Sequence, residues 1–454
     1  MSGLVIRGGR VWDGSGLVDA DVEIAGGRIV SVAPGLRAAS GDELDATGCV
    51  VLPGLVDLHV HLREPGYEEA EDIASGSAAA AAGGFCDVVV MPNTTPPIDS
   101  AEVVRSVRAA GERAGLVRLH PAGCVSRERK GEKLAELAEM HAEGVTIFTD
   151  DGSPVADAWL MRRALEYANG FGAVLADHCE DPALTDGAQM HEGEVSGRLG
   201  LRGWPASAEE IMVARDCVLA EAAGARVHIQ HISTALSVEF VRMAKARGVR
   251  VSAEVTPHHL FLDDHMAESF DPVFKVNPPL RSNEHVEAAR AALADGTIDA
   301  VATDHAPHTP ESKEEWTCAL PGMLGLETAL ALVWELHAEG LLGLDRLVDA
   351  MAVRPAAIAG LDERGPVVAG AAADLCVFDP DSAWTVDPNG LQSKGINTPY
   401  AGRTLQGRVR HTVLAGRPTL RDGVVAALGA SGTALGGNAD TGNNGNNGND
   451  EGQR

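Results

Sequence analysis

Two histidines two residues apart, His59 and His61, close an apolar run that begins at Leu55. On an extended strand residues i and i+2 face the same side, so both imidazoles point one way. Two adjacent acids, Asp150 and Asp151, follow another apolar run, and His178, His231 and Asp304 each end a further one. Imidazoles and carboxylates gathered in one place are the donors of a borderline divalent metal such as zinc. Taken singly, each has a plainer reading as a satisfied histidine or a turn-capping aspartate. Their shared position at the ends of successive apolar runs is what argues for a site.

The runs themselves are eight: 55–61, 85–91, 116–125, 145–149, 173–178, 226–231, 249–255 and 298–304. They are mainly apolar rather than alternating, and helical segments such as 102–113, 132–142 and 284–294 separate most of them. This rhythm predicts an α/β fold, a closed parallel (β/α)8 TIM barrel over 53–361, whose strand C-termini converge on one mouth. A doubly wound open sheet is the alternative on pattern alone. Residues 1–52 and 362–427 read as short strands, with Gly8-Gly9 and Gly26-Gly27 as hairpin turns. Neither end is large enough to bury a core alone, so together they predict one composite β-sandwich domain. The remaining 428–454, rich in Gly, Asn and Asp, is expected to be disordered.

Composition excludes several classes of function. A formal net charge of −28 over 454 residues argues against nucleic acid or an anionic membrane as partner. No uninterrupted apolar stretch reaches the ~18 residues of a membrane span. The first 13 residues lack the apolar core of a signal peptide, so a cytoplasmic location is expected. Seven cysteines without a CxxC pair are expected to be buried and reduced.

Asp57-Leu-His-Val-His-Leu-Arg-Glu-Pro-Gly66 is similar to the first dihydroorotase signature, and Ala302-Thr-Asp-His-Ala-Pro-His-Thr-Pro-Glu-Ser-Lys313 resembles the second. Met91-Pro-Asn-Thr94, Asn277-Pro-Pro and Gly322-Met-Leu-Gly-Leu-Glu327 match the same family, and the resemblance covers residues 1 to about 425. It implies an amidohydrolase barrel with a β-sandwich from both termini, binding one or two zinc ions. By the same resemblance His59 and His61 would hold the more buried zinc with Asp304 close to it, and His178 and His231 would hold the second. A carboxylate would bridge them. Many amidohydrolases use a carboxylated lysine there, but no lysine lies between Lys133 and Lys245. Asp151 matches the aspartate of the type I dihydroorotases, with Asp150 as the fallback. The implied reaction is the reversible cyclisation of N-carbamoyl-aspartate to dihydroorotate, with Asp304 moving the proton. Arg63 would hold the substrate carboxylate through its guanidinium fork, helped by Asn93 and His308. Asn277 and the backbone at Gly322 and Met323 would read the ring amides.

His120, His258, His259 and Cys179 are read as structural. Segment 305–320 is expected to close over the substrate. Family members form dimers or associate with aspartate transcarbamoylase, and both carry over as expectations. The rivals are another cyclic amidase (dihydropyrimidinase, hydantoinase or allantoinase) and a catalytically silent scaffold. Arg63 and the missing lysine disfavour the first, and the complete set of metal donors disfavours the second.

Overall fold

The computed structural model describes residues 3–36, 41–361 and 364–429. The expectation of a disordered tail therefore falls, from residue 430 onward, outside the described residues. The N-terminal stretch forms β1 (Gly3–Trp12), β2 (Leu17–Ala25), β3 (Arg28–Ala33), β4 (Gly41–Asp45) and β5 (Val50–Pro53). The middle contributes β6 (Leu55–Val60), β7 (Phe85–Val90), β8 (Arg118–Pro121), β9 (Ile147–Phe148), β10 (Val174–Asp177), β11 (Met190–His191), β12 (Gly203–Trp204), β13 (Arg226–Ile229), β14 (Val251–Val255) and β15 (Ala300–Val301). The C-terminal part adds β16 (Leu375–Thr385), β17 (Thr404–Leu414), β18 (Arg417–Arg421) and β19 (Val424–Val425).

Eight of the middle strands make a closed parallel ring. Strands β6, β7 and β8 pair in order, and β9, β10, β13, β14 and β15 pair in order. Parallel bridges Gly123–Phe148 and Val60–His305 join the two arcs. Each of the eight apolar runs contains one of these strands, which excludes the open sheet. The runs are apolar on both faces because one side packs within the barrel and the other beneath helices. Leu58, Val89, Ala122, Ile147, Val174, Ala176, Ala300 and Ala302 fill the interior. Leu175, Val227, Ile229 and Val255 face outward, against Leu165, Val213 and Val241 of the helix ring. The duplet β11–β12 lies off the ring.

The two ends of the chain share a nine-stranded sheet in the order β19-β18-β17-β16-β5-β1-β2-β3, with β4 beside β1. Antiparallel pairing of Val377 with Val51 fastens the C-terminal half to the N-terminal half. Ile6, Val11, Val22, Ile29, Val377 and Val413 form its own core.

Three local expectations need correction. Gly26-Gly27 is a two-residue hairpin turn with φ of 60° and 77°. Gly8-Gly9 is not a turn. It lies inside β1, where the register with β2 shifts between Ile6 and Gly9, and the left-handed Gly8 (φ 69°) absorbs the extra residue as a bulge. The helix expected over 132–142 occupies only Leu137–Ala142, because Ser126 bridges Leu134 and folds the preceding residues back as a loop. Six cysteines are buried and free as expected, whereas Cys318 is exposed. Among the described residues no helix is long and apolar enough to cross a membrane.

Candidate active site at the barrel mouth

The ends of β6, β9, β10, β13 and β15 deliver six of the expected groups to one place. Strand β6 leads directly into His59 and His61. Its register with β7 is irregular between Asp57 and Val60. There Asp57 accepts the backbone N–H of His59 (3.0 Å) and of Thr303 (3.1 Å), tying the start of the site to the strand that carries Asp304. His59 Nε2 lies 3.2 Å from Asp151 Oδ1 and 3.5 Å from Asp304 Oδ1. His61 Nε2 lies 3.0 Å from Asp304 Oδ1 and 3.5 Å from Asp151 Oδ2. On the other side of Asp151 Oδ1 sit His231 Nε2 at 3.7 Å and His178 Nδ1 at 3.8 Å, themselves 2.9 Å apart. Asp151 is thus common to two groups of donor atoms, one with His59 and His61, the other with His178 and His231.

Asp150 is the expectation the structure turns away. Its carboxylate accepts Val125 N–H (2.9 Å) and Ser126 N–H (3.0 Å), and also the Ser126 hydroxyl. It caps a loop, while its neighbour faces the mouth.

The fit of a divalent metal rests on one buried atom. His59 Nδ1 donates to Glu254 Oε1 (2.8 Å), so the neutral ring keeps a lone pair on Nε2, and Nε2 is buried with no hydrogen-bond partner. A carboxylate behind a histidine, fixing its tautomer, is the usual support of a metal-binding imidazole. Burial disfavours a positive charge on His59, yet Asp151 and Asp304 outweigh it and raise its pKa well above the ordinary value. The field at Nε2 calls for a cation, proton or metal alike. Burial likewise opposes ionisation of Asp151, and His59, His231 and His61 overcome it and hold the carboxyl well below the usual range. The donor set of four imidazoles and two carboxylates fits a divalent metal.

The substrate-side residues line a cavity of about 190 Å³ above these groups, among them Arg63, Asn93, Asn277, His308 and Gly322. Arg63 Nε donates to Pro307 O (3.0 Å), and Nη2 lies 3.5 Å from His308 Nε2. Burial, with Arg63 next, pushes the His308 imidazole down to about 3, so it is neutral at physiological pH. Asn93 Oδ1 is 2.9 Å from His61 Nδ1. Gly322 has φ 144°, and a Cβ there would come within 2.7 Å of His308 Nε2, so only glycine fits. Met323 is not brought to the cavity: it is buried with Leu262 and Leu280, and its carbonyl accepts Ala306 N–H (2.8 Å). Arg63, His231 and Asp304 have φ of 61°, 29° and 47°, a conformation that costs on the order of 1–3 kcal/mol each and clusters at functional sites.

Sequence reasoning missed Glu254 and Glu180. Glu254 spans His59 and His228, whose Nε2 is 2.9 Å from Oε2. Burial would raise its carboxyl, but the His228 and His59 hydrogen bonds hold it at about 2. A lone acid near the end of the run 249–255 was the available signal. Glu180 Oε2 lies 3.1 Å from His178 Nε2. His120 pairs with Asp87 at the opposite end of the barrel, and His259 bonds Thr256 and Pro278, as structural histidines do. His258, also read as structural, is buried with Nε2 lacking a partner.

Comparisons with known proteins give the chain's family and fold. A family model described as dihydro-orotase-like matches residues 48–237, and an amidohydrolase family model matches residues 212–420. The chain is 52% identical to a dihydroorotase of Streptomyces coelicolor over 428 residues, covering 93% of this chain and 99% of that one. It is 49% identical to a dihydroorotase of Mycobacterium tuberculosis over 430 residues, covering 93% and 100%. Among solved structures it superposes on an L-hydantoinase (dihydropyrimidinase) from Arthrobacter aurescens with a TM-score of 0.85 at 25% identity, covering 94% and 98%. A D-hydantoinase from Thermus sp. gives 0.81 at 26% identity, covering 94% and 97%. The chain belongs to the dihydroorotase family of amidohydrolases.

Proposed function

We propose that this chain is a dihydroorotase, a cyclic amide hydrolase that closes N-carbamoyl-L-aspartate to dihydroorotate and reopens the ring, with zinc as its metal. The observation that carries the reading is Asp151 standing between two histidine pairs, beneath a cavity walled by Arg63. His59 and His61, with Asp304 close by, would hold one ion, and His178 and His231 a second, with Asp151 bridging them. When bound, such a metal lowers the pKa of water to ~7 and polarises a carbonyl.

The chain's own residues do the rest. Arg63 offers the substrate carboxylate a forked donor, and neutral His308 and Asn93 flank it. Asn277 and the backbone at Gly322 face the ring amides. Asp304, ionised and bonded to His61, accepts the proton of the attacking water and passes it to the departing ring nitrogen. In the biosynthetic direction the same proton travels back as water leaves. Segment 305–320, tied down where Lys313 Nζ donates to Pro272 O and Lys275 O (both 3.0 Å), acts as a cover that excludes water. The barrel, 53–361, carries the chemistry, and the composite sheet braces it. A cytoplasmic enzyme, working as a homodimer or with aspartate transcarbamoylase, agrees with this reading.

The hydantoinases it superposes on are relatives with the same architecture. The test is ring opening by the zinc-loaded protein, offered dihydroorotate, dihydrouracil, hydantoin and allantoin in turn, with metal counted in the same sample. Turnover of dihydroorotate alone, lost with a chelator and regained with zinc, is expected. No turnover of dihydroorotate in a zinc-replete sample rejects the reading.

A further inference from the structure

Glu180 joins the two halves of the cavity. It stands just ahead of the short helix Pro182–Thr185. Its Oε1 accepts the Thr185 hydroxyl at 2.6 Å. Its Oε2 lies 3.1 Å from His178 Nε2 and accepts Asn277 Nδ2–H at 2.9 Å. One oxygen thus serves a metal-side imidazole and a substrate-side amide together.

A carboxylate only accepts hydrogen bonds. The contact with His178 therefore places that ring's proton on Nε2 and leaves Nδ1 for the side where Asp151 and His231 stand. The contact with Asn277 settles the amide in the same way. Its NH2 must face Glu180, so the carbonyl oxygen Oδ1 is the atom left for the cavity that Asn277 lines. A free asparagine offers a ligand a donor or an acceptor, whereas this one offers an acceptor only.

We propose that Glu180 is a positioning residue that fixes Asn277 as a hydrogen-bond acceptor for a ring N–H of the cyclic substrate, so that the site selects rings carrying that N–H over N-alkylated ones. The proposal rests on the ring-opening reading above and adds to it a specificity device. Atoms that could only accept at this position, or that carry a methyl group there, leave Oδ1 without a partner, which costs binding.

The experiment uses the zinc-loaded full chain and four variants: Glu180→Ala, Asn277→Ala, the double variant, and Glu180→Gln. Glu180→Ala is expected to raise KM for dihydroorotate roughly tenfold, the worth of one hydrogen bond to a charged group. In the Asn277→Ala background the same change should add less than about twofold, because the two residues act through one contact. Discrimination against an N-methylated ring should collapse in Glu180→Ala. Glu180→Gln should recover most of the KM loss, since its amide oxygen can accept both bonds while its NH2 meets Thr185. Additive KM losses, or an unchanged KM in Glu180→Ala, overturn the proposal.

A readout independent of turnover is the side-chain amide resonance of Asn277 in 15N-asparagine-labelled protein, assigned by its loss in Asn277→Ala. It should move in Glu180→Ala and return in Glu180→Gln, and an unmoved resonance overturns the proposal. Inactivity of the wild type on every ring, with that resonance responding as stated, would sink the functional reading and leave the positioning role standing. Should Glu180→Ala fail to fold, Asn277→Asp sets carboxylate against carboxylate and should raise KM at least as far as Asn277→Ala. A wild-type KM in that variant also overturns the proposal.

Discussion

The barrel buries charge at both ends, and the two ends handle it differently. At the base, Asp87 on β7 accepts His120 Nε2 (2.8 Å) and pairs with Arg118 (3.2 Å) and Arg364. Arg118 in turn grips Asp374 with both terminal nitrogens, at 2.9 and 3.0 Å, and Arg364 reaches Asp374 at 3.2 Å. Two carboxylates meet two guanidinium groups, and the cluster bolts the barrel to the strand start at Leu375. At the mouth, Asp151 and Asp304 are also buried, yet they face imidazoles, and Arg63 turns instead to Pro307 O and the cavity. His59 Nε2 and His231 Nδ1 lack partners there. Charge that is matched within the protein serves the fold, whereas the unpartnered Nε2 of His59 stands among acids and imidazoles that a bound cation would join.

Substitutions at each end test this division. The largest effect is expected from Asp304→Asn: kcat for ring opening falls roughly 10²–10⁴-fold, while the urea midpoint stays close to wild type. A variant that unfolds readily but turns over normally would erase the contrast. At the base, Arg364→Met should lower the unfolding free energy by about 3 kcal/mol, because it leaves buried carboxylates short of a partner. Activity per folded molecule should hold, measured as kcat/KM after active-site titration. Arg63→Met belongs to the mouth and should raise KM for dihydroorotate roughly 10–100-fold, the worth of ~1.5–3 kcal/mol for a charged hydrogen bond. Metal content by elemental analysis should not change.

The smallest effect sharpens the base alone. Burial opposes ionisation of Asp87, but His120, Arg364 and Arg118 hold its carboxyl at about 2. The unfolded chain has ~3.9 there. A depressed folded value means the stability is fully present above the unfolded pKa and is lost as pH falls toward the folded one. Urea midpoints taken from pH 5 down to pH 2 should therefore drop, by on the order of 2 kcal/mol from this group. In Asp87→Asn that share of the acid slope should vanish, and an unchanged slope would remove Asp87 from the account.

Much of the scaffold could be read before any coordinates. Strands buried on both faces are mainly apolar, so all eight runs stood out, and Gly26-Gly27 carried its turn in its composition. Strand ends did not stand out. The run 298–304 holds only the two-residue β15, although the chain bridges Val60 again at His305, just past Asp304. Gly8-Gly9 looked the same as a turn and became a bulge, since β1 pairs with β2 on both sides of it.

Residue types and their place at strand ends were enough to name the histidines and Asp304 as one candidate set, because metal chemistry admits few side chains, while Arg63 and the significance of the missing lysine came from the resemblance to the family. Which of two neighbouring aspartates faces the mouth was decided only by the fold, when backbone N–H groups of Val125 and Ser126 claimed Asp150. The same holds for Glu254 and Glu180, each an ordinary acid in one dimension. Their partners lie 195 and 97 positions away along the chain, and no local pattern encodes a contact at that range.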